Sequence, residues 1–210
     1  MRDEIINLII FDMDGVLVDA CEWHRVALND ALKEVCNYEI SIQDHYNIFN
    51  GIPTKVKLKK LSEMGIIEES LFEKIETIKQ EKTIQAISKF AKLRKEKISL
   101  MKFLKEKNIK IACYTNSIRA TTELMLEKTG ILKYFDLLIT NQDVIKAKPD
   151  PEGYLLCLKT LNISSKNTII IEDSPKGIEA AEQTGCFLIK VKNPDEVNIE
   201  LLKDVIKWKF

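Results

Sequence analysis

The stretch Asn7-Leu8-Ile9-Ile10-Phe11-Asp12-Met13-Asp14-Gly15-Val16-Leu17-Val18-Asp19 sets the frame for the whole chain. Its apolar run, Leu8 to Phe11, ends abruptly in two carboxylates one residue apart, and Gly15 follows at once. Four β-favouring apolar residues in a row predict a strand buried on both faces, as in a parallel sheet. Asp12 and Asp14 then lie at its carboxyl end, where open α/β sheets gather their ligands. Two acids on a strand tip cost stability unless something compensates their charge, and a bound cation is the usual compensator.

This first strand starts near Ile5, and residues 109–114, 137–140, 168–171 and 187–191 predict four more. Helical periodicity lies between the later ones. Residues 98–107 carry Ile98, Met101 and Leu104 on one face, and Leu124 and Met125 mark a helix over 122–128 closed by Gly130. Pro151 and Pro175 each stand at the first turn of a further helix, a tolerated position for proline. Alternating strand and helix predicts an α/β fold, a Rossmann-like parallel sheet with helices on both faces.

Residues 20–93 break the alternation, with helical patterns only. Trp23, Val26, Ala27, Leu28, Ala31, Leu32 and Val35 make one amphipathic helix. Thr54 stands as the N-cap of a second helix running to Gly65, and residues 68–90 hold a third. The expected organisation is a discontinuous core, 1–19 and 94–210, with an all-helical cap domain, 20–93, inserted over the sheet's carboxyl edge.

At 210 residues, 45% hydrophobic and 30% charged, the chain has the composition of a soluble globular protein. Lysine plus arginine equals aspartate plus glutamate at 32 each, which excludes bulk attraction to nucleic acid or an anionic membrane. No apolar run approaches the roughly 20 residues of a membrane span. The amino terminus lacks a signal-peptide pattern, so the expected location is the cytoplasm. Cys21, Cys36, Cys113, Cys157 and Cys186 are odd in number and contain no C-x-x-C pair, which argues against a disulfide framework or a zinc site. Cys21 reads as packing, with a place in the pocket as the alternative. The basic clusters Lys55-Val56-Lys57-Leu58-Lys59-Lys60 and Lys92-Leu93-Arg94-Lys95-Glu96-Lys97 read as solvated faces. The sharper alternative is that some of these lysines face the pocket and attract an anionic substrate.

The other strand tips carry matching chemistry. The second ends Tyr114-Thr115-Asn116-Ser117, hydroxyls and an amide at a helix start, suited to phosphate oxygens. Lys148, in Lys146-Ala147-Lys148-Pro149-Asp150-Pro151, is a cation braced by prolines. The fourth ends in a second pair of acids, Glu172-Asp173. Phosphoryl transfer uses all of these parts. A carboxylate nucleophile needs a hard divalent cation to approach an anionic ester, and Mg²⁺ on oxygen ligands supplies it. A second acid moves the proton, while lysine and threonine hold the equatorial oxygens.

In this order the motifs F-D-M-D-G-V-L-V-D, Y-T-N-S, K-A-K-P-D-P and I-E-D-S-P-K-G-I-E-A-A resemble the four motifs of the haloacid dehalogenase superfamily, and within it the β-phosphoglucomutase-like phosphatases with a helical cap. The resemblance implies a Mg²⁺-dependent phosphatase hydrolysing a small phosphomonoester (a sugar, polyol or related metabolite phosphate) through an aspartyl-phosphate. It implies Asp12 as nucleophile, Asp14 as general acid/base, Thr115 and Asn116 as phosphate binders, and Lys148 as the link between Asp12 and phosphate. Asp12, the Asp14 carbonyl and Asp173 would hold Mg²⁺, with Glu172 either a ligand or an outer brace. His24 and Lys79 match cap residues of the mutase. The mutase's cap arginine falls at Thr54 or Lys55, which favours hydrolysis and leaves a β-phosphoglucomutase-type phosphotransferase as the alternative. A Pro-Gly pair commonly precedes the helix before the second strand in this family; here Arg94 to Ile98 predicts a helical, stiffer return from the cap. The expected partner is a small phosphorylated metabolite, and the expected state a monomer, a dimer being the alternative.

The nearest rival toolkit is that of a signalling receiver domain, which needs no helical insert. An EF-hand is excluded because glycine is fourth in the loop and Trp23 stands where the twelfth-position glutamate belongs.

Overall fold

The computed structural model describes residues 5–206; residues 1–4, which open the amino-terminal reading above, lie outside them. The strands are β1 (Leu8–Phe11), β2 (Lys110–Tyr114), β3 (Leu137–Ile139), β4 (Thr168–Glu172) and β5 (Phe187–Lys190). All pair in parallel in the order β3-β2-β1-β4-β5, so β1 is central. Every residue of β1 is buried, because helices cover both faces. Leu8 and Ile10 pack with Tyr154, Cys157 and Ala180 on one side. Ile9 and Phe11 pack with Leu100, Met101, Met125 and Leu202 on the other. Full burial of such side chains contributes about 2 kcal/mol each.

The helices are α1 (Cys21–Cys36), the short α2 (Ile42–Asp44), α3 (Thr54–Glu63), α4 (Phe72–Phe90), α5 (Lys95–Glu106), α6 (Arg119–Lys128), α7 (Glu152–Leu161), α8 (Pro175–Glu182) and α9 (Ile199–Ile206). α1 to α4 all fall between β1 and α5, and α1, α3 and α4 share a cluster of their own with Phe49, around Leu28, Leu32, Leu58, Leu61 and Ile75. Trp23 stacks on Phe90, with ring centroids 6.1 Å apart, tying the first of these helices to the last.

Two local expectations change. Thr54 is not an N-cap: it is already helical, and Pro53 holds the capping position with no side-chain hydrogen bond. Proline's fixed φ, here −58° with ψ at 148°, starts the helix one residue earlier than the hydroxyl suggests. The return from the helical insert is not helical throughout either. α4 stops at Phe90, Ala91 turns extended, and α5 begins at Lys95. No glycine or proline causes that break. The Arg94 N–H donates to the Thr129 carbonyl at 3.2 Å and its guanidinium pairs with Glu96 and Asp195, so contacts with the core interrupt the helix.

Candidate active site

Register alone brings the strand tips together. Phe11 pairs with Cys113 on one side and Ile171 on the other, so Asp12, Tyr114 and Glu172 come next in three adjacent strands. Strand order reverses at β1, and the crevice at such a switch point is where open α/β sheets bind ligands. Lys148 reaches into it. Its Nζ donates to Asp12 Oδ1 at 2.5 Å, Glu172 Oε1 at 2.5 Å and the Tyr114 carbonyl at 3.0 Å. The ammonium also lies over the rings of Tyr114 and Tyr154, 4.7 and 5.0 Å from their centroids. Burial disfavours this charge, but Asp12 and Glu172 outweigh burial and raise its pKa well above the usual lysine range.

Glu172 is fully buried and saturated. Oε1 accepts from Lys148 and from the Tyr154 hydroxyl at 2.7 Å. Oε2 accepts from the Asp173 N–H at 3.0 Å and from the Ser174 N–H and hydroxyl at 3.2 Å each. The carboxylate fits only because position 177 has no side chain: a Cβ on Gly177 would stand 1.7 Å from Glu172 Oε1.

Asp14 faces the helical insert. Its Oδ2 accepts from the Ser117 hydroxyl at 2.9 Å, and Oδ1 stands 3.4 Å from His24 Nε2 on α1. Lys79 Nζ on α4 is 3.3 Å from the other ring nitrogen of His24. Burial raises the pKa of Asp14, but His24 and the hydrogen bonds from His24 and Ser117 bring it below the ordinary value. Gly15, at φ +91°, lets the chain turn here, and a Cβ on it would meet Asp173 Oδ2 at 2.1 Å.

These residues line one cavity of about 710 Å³ between the sheet edge and the insert, a volume suited to a small molecule. Asp12, Asp14, His24, Lys79, Thr115, Asn116, Lys148 and Asp173 all line it; Glu172 lies behind them. Of the first basic cluster, Lys55 and Lys57 line the cavity, whereas Lys59 and Lys60 are exposed. Cys21 also reaches it, and burial drives its thiol pKa well up, so it is an inert wall. Sequence reasoning missed Ser117 as a partner of Asp14, His45 in the wall and Tyr154 beside Lys148. Tyr154 had a signal, six residues after Lys148 in a braced loop; His45 had none.

The donor set fits a hard divalent cation. Asp12, Glu172 and Asp173 each offer a carboxylate oxygen within 4.8 Å of the others. Burial raises the Asp12 pKa well above the carboxylate range despite Lys148, and burial with Glu172 pushes Asp173 to about 7. Asp173 Oδ1 is buried with no hydrogen-bond partner. Acids so destabilised in their charged form are what oxygen-ligated Mg²⁺ neutralises.

Residues 9–191 match the family model described as haloacid dehalogenase-like hydrolase. The chain belongs to that family. It is similar to a phosphorylated carbohydrates phosphatase of Thermotoga maritima, 32% identical over 84% of this chain and 81% of that one. A fructose-1-phosphate phosphatase of Escherichia coli is 27% identical over 88% and 95% of the two chains. A β-phosphoglucomutase crystal structure from Clostridium difficile shares the fold, with a TM-score of 0.83, 23% identity, and coverage of 97% and 98%. The enzyme class is a phosphoric monoester hydrolase of the haloacid dehalogenase type. Among the described residues, no helix is long and apolar enough to cross a membrane.

Proposed function

We propose that this chain is a Mg²⁺-dependent phosphatase that hydrolyses a small phosphomonoester through an aspartyl-phosphate, with the helices of 20–93 as its cap. The carrying observation is the buried pairing of Lys148 with Asp12 in a cavity that Asp14 also lines. Asp12, Asp173 and the Asp14 carbonyl are the residues to hold Mg²⁺, which supplies charge neutralisation between carboxylate and phosphate. The saturated hydrogen bonding of Glu172 supports a bracing role, fixing Lys148 from behind.

In the first step Asp12 Oδ attacks phosphorus, the ester P–O bond breaks, and Asp14 gives its proton to the departing alkoxide. In the second, Asp14 takes a proton from water as that water attacks the aspartyl-phosphate, releasing phosphate and restoring Asp12. A phosphate dianion beside Asp14 raises its proton affinity, which loads the acid for the first step. Lys148 and the Thr115 hydroxyl hold the phosphoryl oxygens as charge spreads onto them. A sugar or polyol phosphate matches the cavity's size and the relatives' named substrates.

The test is turnover of p-nitrophenyl phosphate with and without Mg²⁺, beside Asp12→Asn. Activity is expected only with metal, and a loss of at least 10³-fold in the variant. Metal-independent turnover, or a variant as active as the parent, overturns the proposal.

A further inference from the structure

A lysine ammonium has three N–H donors, and the protein takes all of those on Lys148. They go to Asp12 Oδ1, Glu172 Oε1 and the Tyr114 carbonyl. A phosphoryl oxygen is bound only when one of these acceptors gives up its donor. The charge must then be kept in place by a contact that spends no N–H.

Two tyrosine rings supply that contact. The ammonium lies over both faces, and the rings stand at 88° with centroids 4.9 Å apart, so they form two walls of a corner. Attraction between a cation and a ring face acts on the charge as a whole and uses no donor. The Tyr114 ring is present for that face rather than for its hydroxyl, which is buried with no hydrogen-bond partner among the described residues. It lies against the start of α7, where a Cβ on Gly153 would stand 2.2 Å from the ring carbons. Tyr154, the next residue, makes the second wall. Its hydroxyl donates to the same Glu172 Oε1 that accepts from Lys148, so this oxygen keeps a partner when the lysine turns away. Burial pushes the Tyr154 phenol pKa well up, which keeps it a donor.

We propose that Tyr114 and Tyr154 are positioning residues for phosphoryl transfer, an aromatic corner that holds the Lys148 ammonium at Asp12 while one N–H passes from the protein to a phosphoryl oxygen. The proposal rests on the phosphatase reading for what Lys148 does; the corner itself concerns where the ammonium sits. Without the ring faces the ammonium has only its acceptors to hold it, and giving up one draws it toward the other two.

Fluorination reads the corner directly, because fluorine withdraws electron density from a ring face with little change in ring shape. Tyr114→Phe is compared with mono-, di- and trifluorinated phenylalanine at the same position, and Tyr154→Phe starts a second set. All are assayed with Mg²⁺ well below their melting temperatures. In each set kcat on p-nitrophenyl phosphate is expected to fall stepwise, by about fivefold or more from phenylalanine to its trifluorinated form. Affinity for inorganic phosphate, measured by calorimetric titration, is expected to fall in step. Tyr114→Phe is expected to keep kcat within about twofold of the parent and to melt no lower, since it loses only an unpaired hydroxyl. Flat kcat and phosphate affinity across both sets, or a Tyr114→Phe protein already as slow as the trifluorinated form, overturn the proposal. A flat set at one position removes that tyrosine from the corner. Phosphate affinity that falls along the sets in a protein hydrolysing no phosphomonoester keeps the corner and overturns the phosphatase reading.

Discussion

Lys148 and Lys57 are both buried lysines lining one cavity, and their partners separate them. Lys148 has two carboxylates and two aromatic faces, and its proton is held firmly. Lys57 has none of these, and burial brings its pKa down to about 8. A folded pKa below the unfolded value of 10.5 means that below pH 8 the ammonium costs the folded state its full desolvation penalty. Between pH 8 and 10.5 the unfolded chain binds more protons, so this group's share of stability rises with pH. Lys57→Met is therefore expected to stabilise the ligand-free protein at pH 7 by up to about 3 kcal/mol, since each tenfold loss of proton affinity on folding costs about 1.4 kcal/mol. That gain is expected to shrink as pH approaches about 10. Urea unfolding of parent and variant at the two pH values checks it.

At the scale of an element, α8 shows a packing demand overriding a helix propensity. Ser174 caps it by accepting from the Gly177 N–H at 3.1 Å, Pro175 opens it, and Gly177 sits in its first turn. Alanine is favoured over glycine inside a helix by about 1 kcal/mol. Here the added methyl would overlap the Glu172 carboxylate, which has no room to move between Lys148, Tyr154 and Ser174. Gly177→Ala is expected to lose about 2–4 kcal/mol of stability and most activity, read by thermal melting and turnover. A melting temperature equal to or above the parent's would mean that Glu172 is not held where the structure has it. The glycine of I-E-D-S-P-K-G is thus a requirement of the carboxylate beneath it.

Across the whole molecule, the helical insert meets the core beside the cavity. Asn116, beside Thr115, donates through Nδ2 to the Gly51 carbonyl at 2.7 Å and accepts from the Lys148 N–H at 3.2 Å. One amide therefore links the turn before α3 to the loop that carries Lys148. Asn116→Ala is expected to free the 50–54 turn and raise KM several-fold, with the sheet unaffected. Hydrogen exchange monitored by mass spectrometry checks this: faster exchange confined to that turn is the expected pattern, and unchanged protection there counts against a linking role. On the return from the insert, Arg94 pairs with Glu96 and Asp195.

The sheet and the edge at which its polar strand tips gather were legible in one dimension. Buried strands of a parallel sheet are written as unbroken apolar runs, and their polar tips mark the edge where chemistry collects. The placing of Asp12, Asp14, Thr115, Lys148 and Asp173 around one cavity could be read for that reason. Which lysine is paired and which is not emerged only from the folded chain. Lys55, Lys57, Lys59 and Lys60 look alike as a string, and the rotation of α3 against α1 and α4 alone buries Lys57 at the cavity. Packing also set the roles of Tyr154 and Gly177, because the burial of Glu172 is a property of three strands and two helices meeting. The pair of acids at Asp12 and Asp14 pointed to a phosphoryl-transfer site; only packing decided which walls face them.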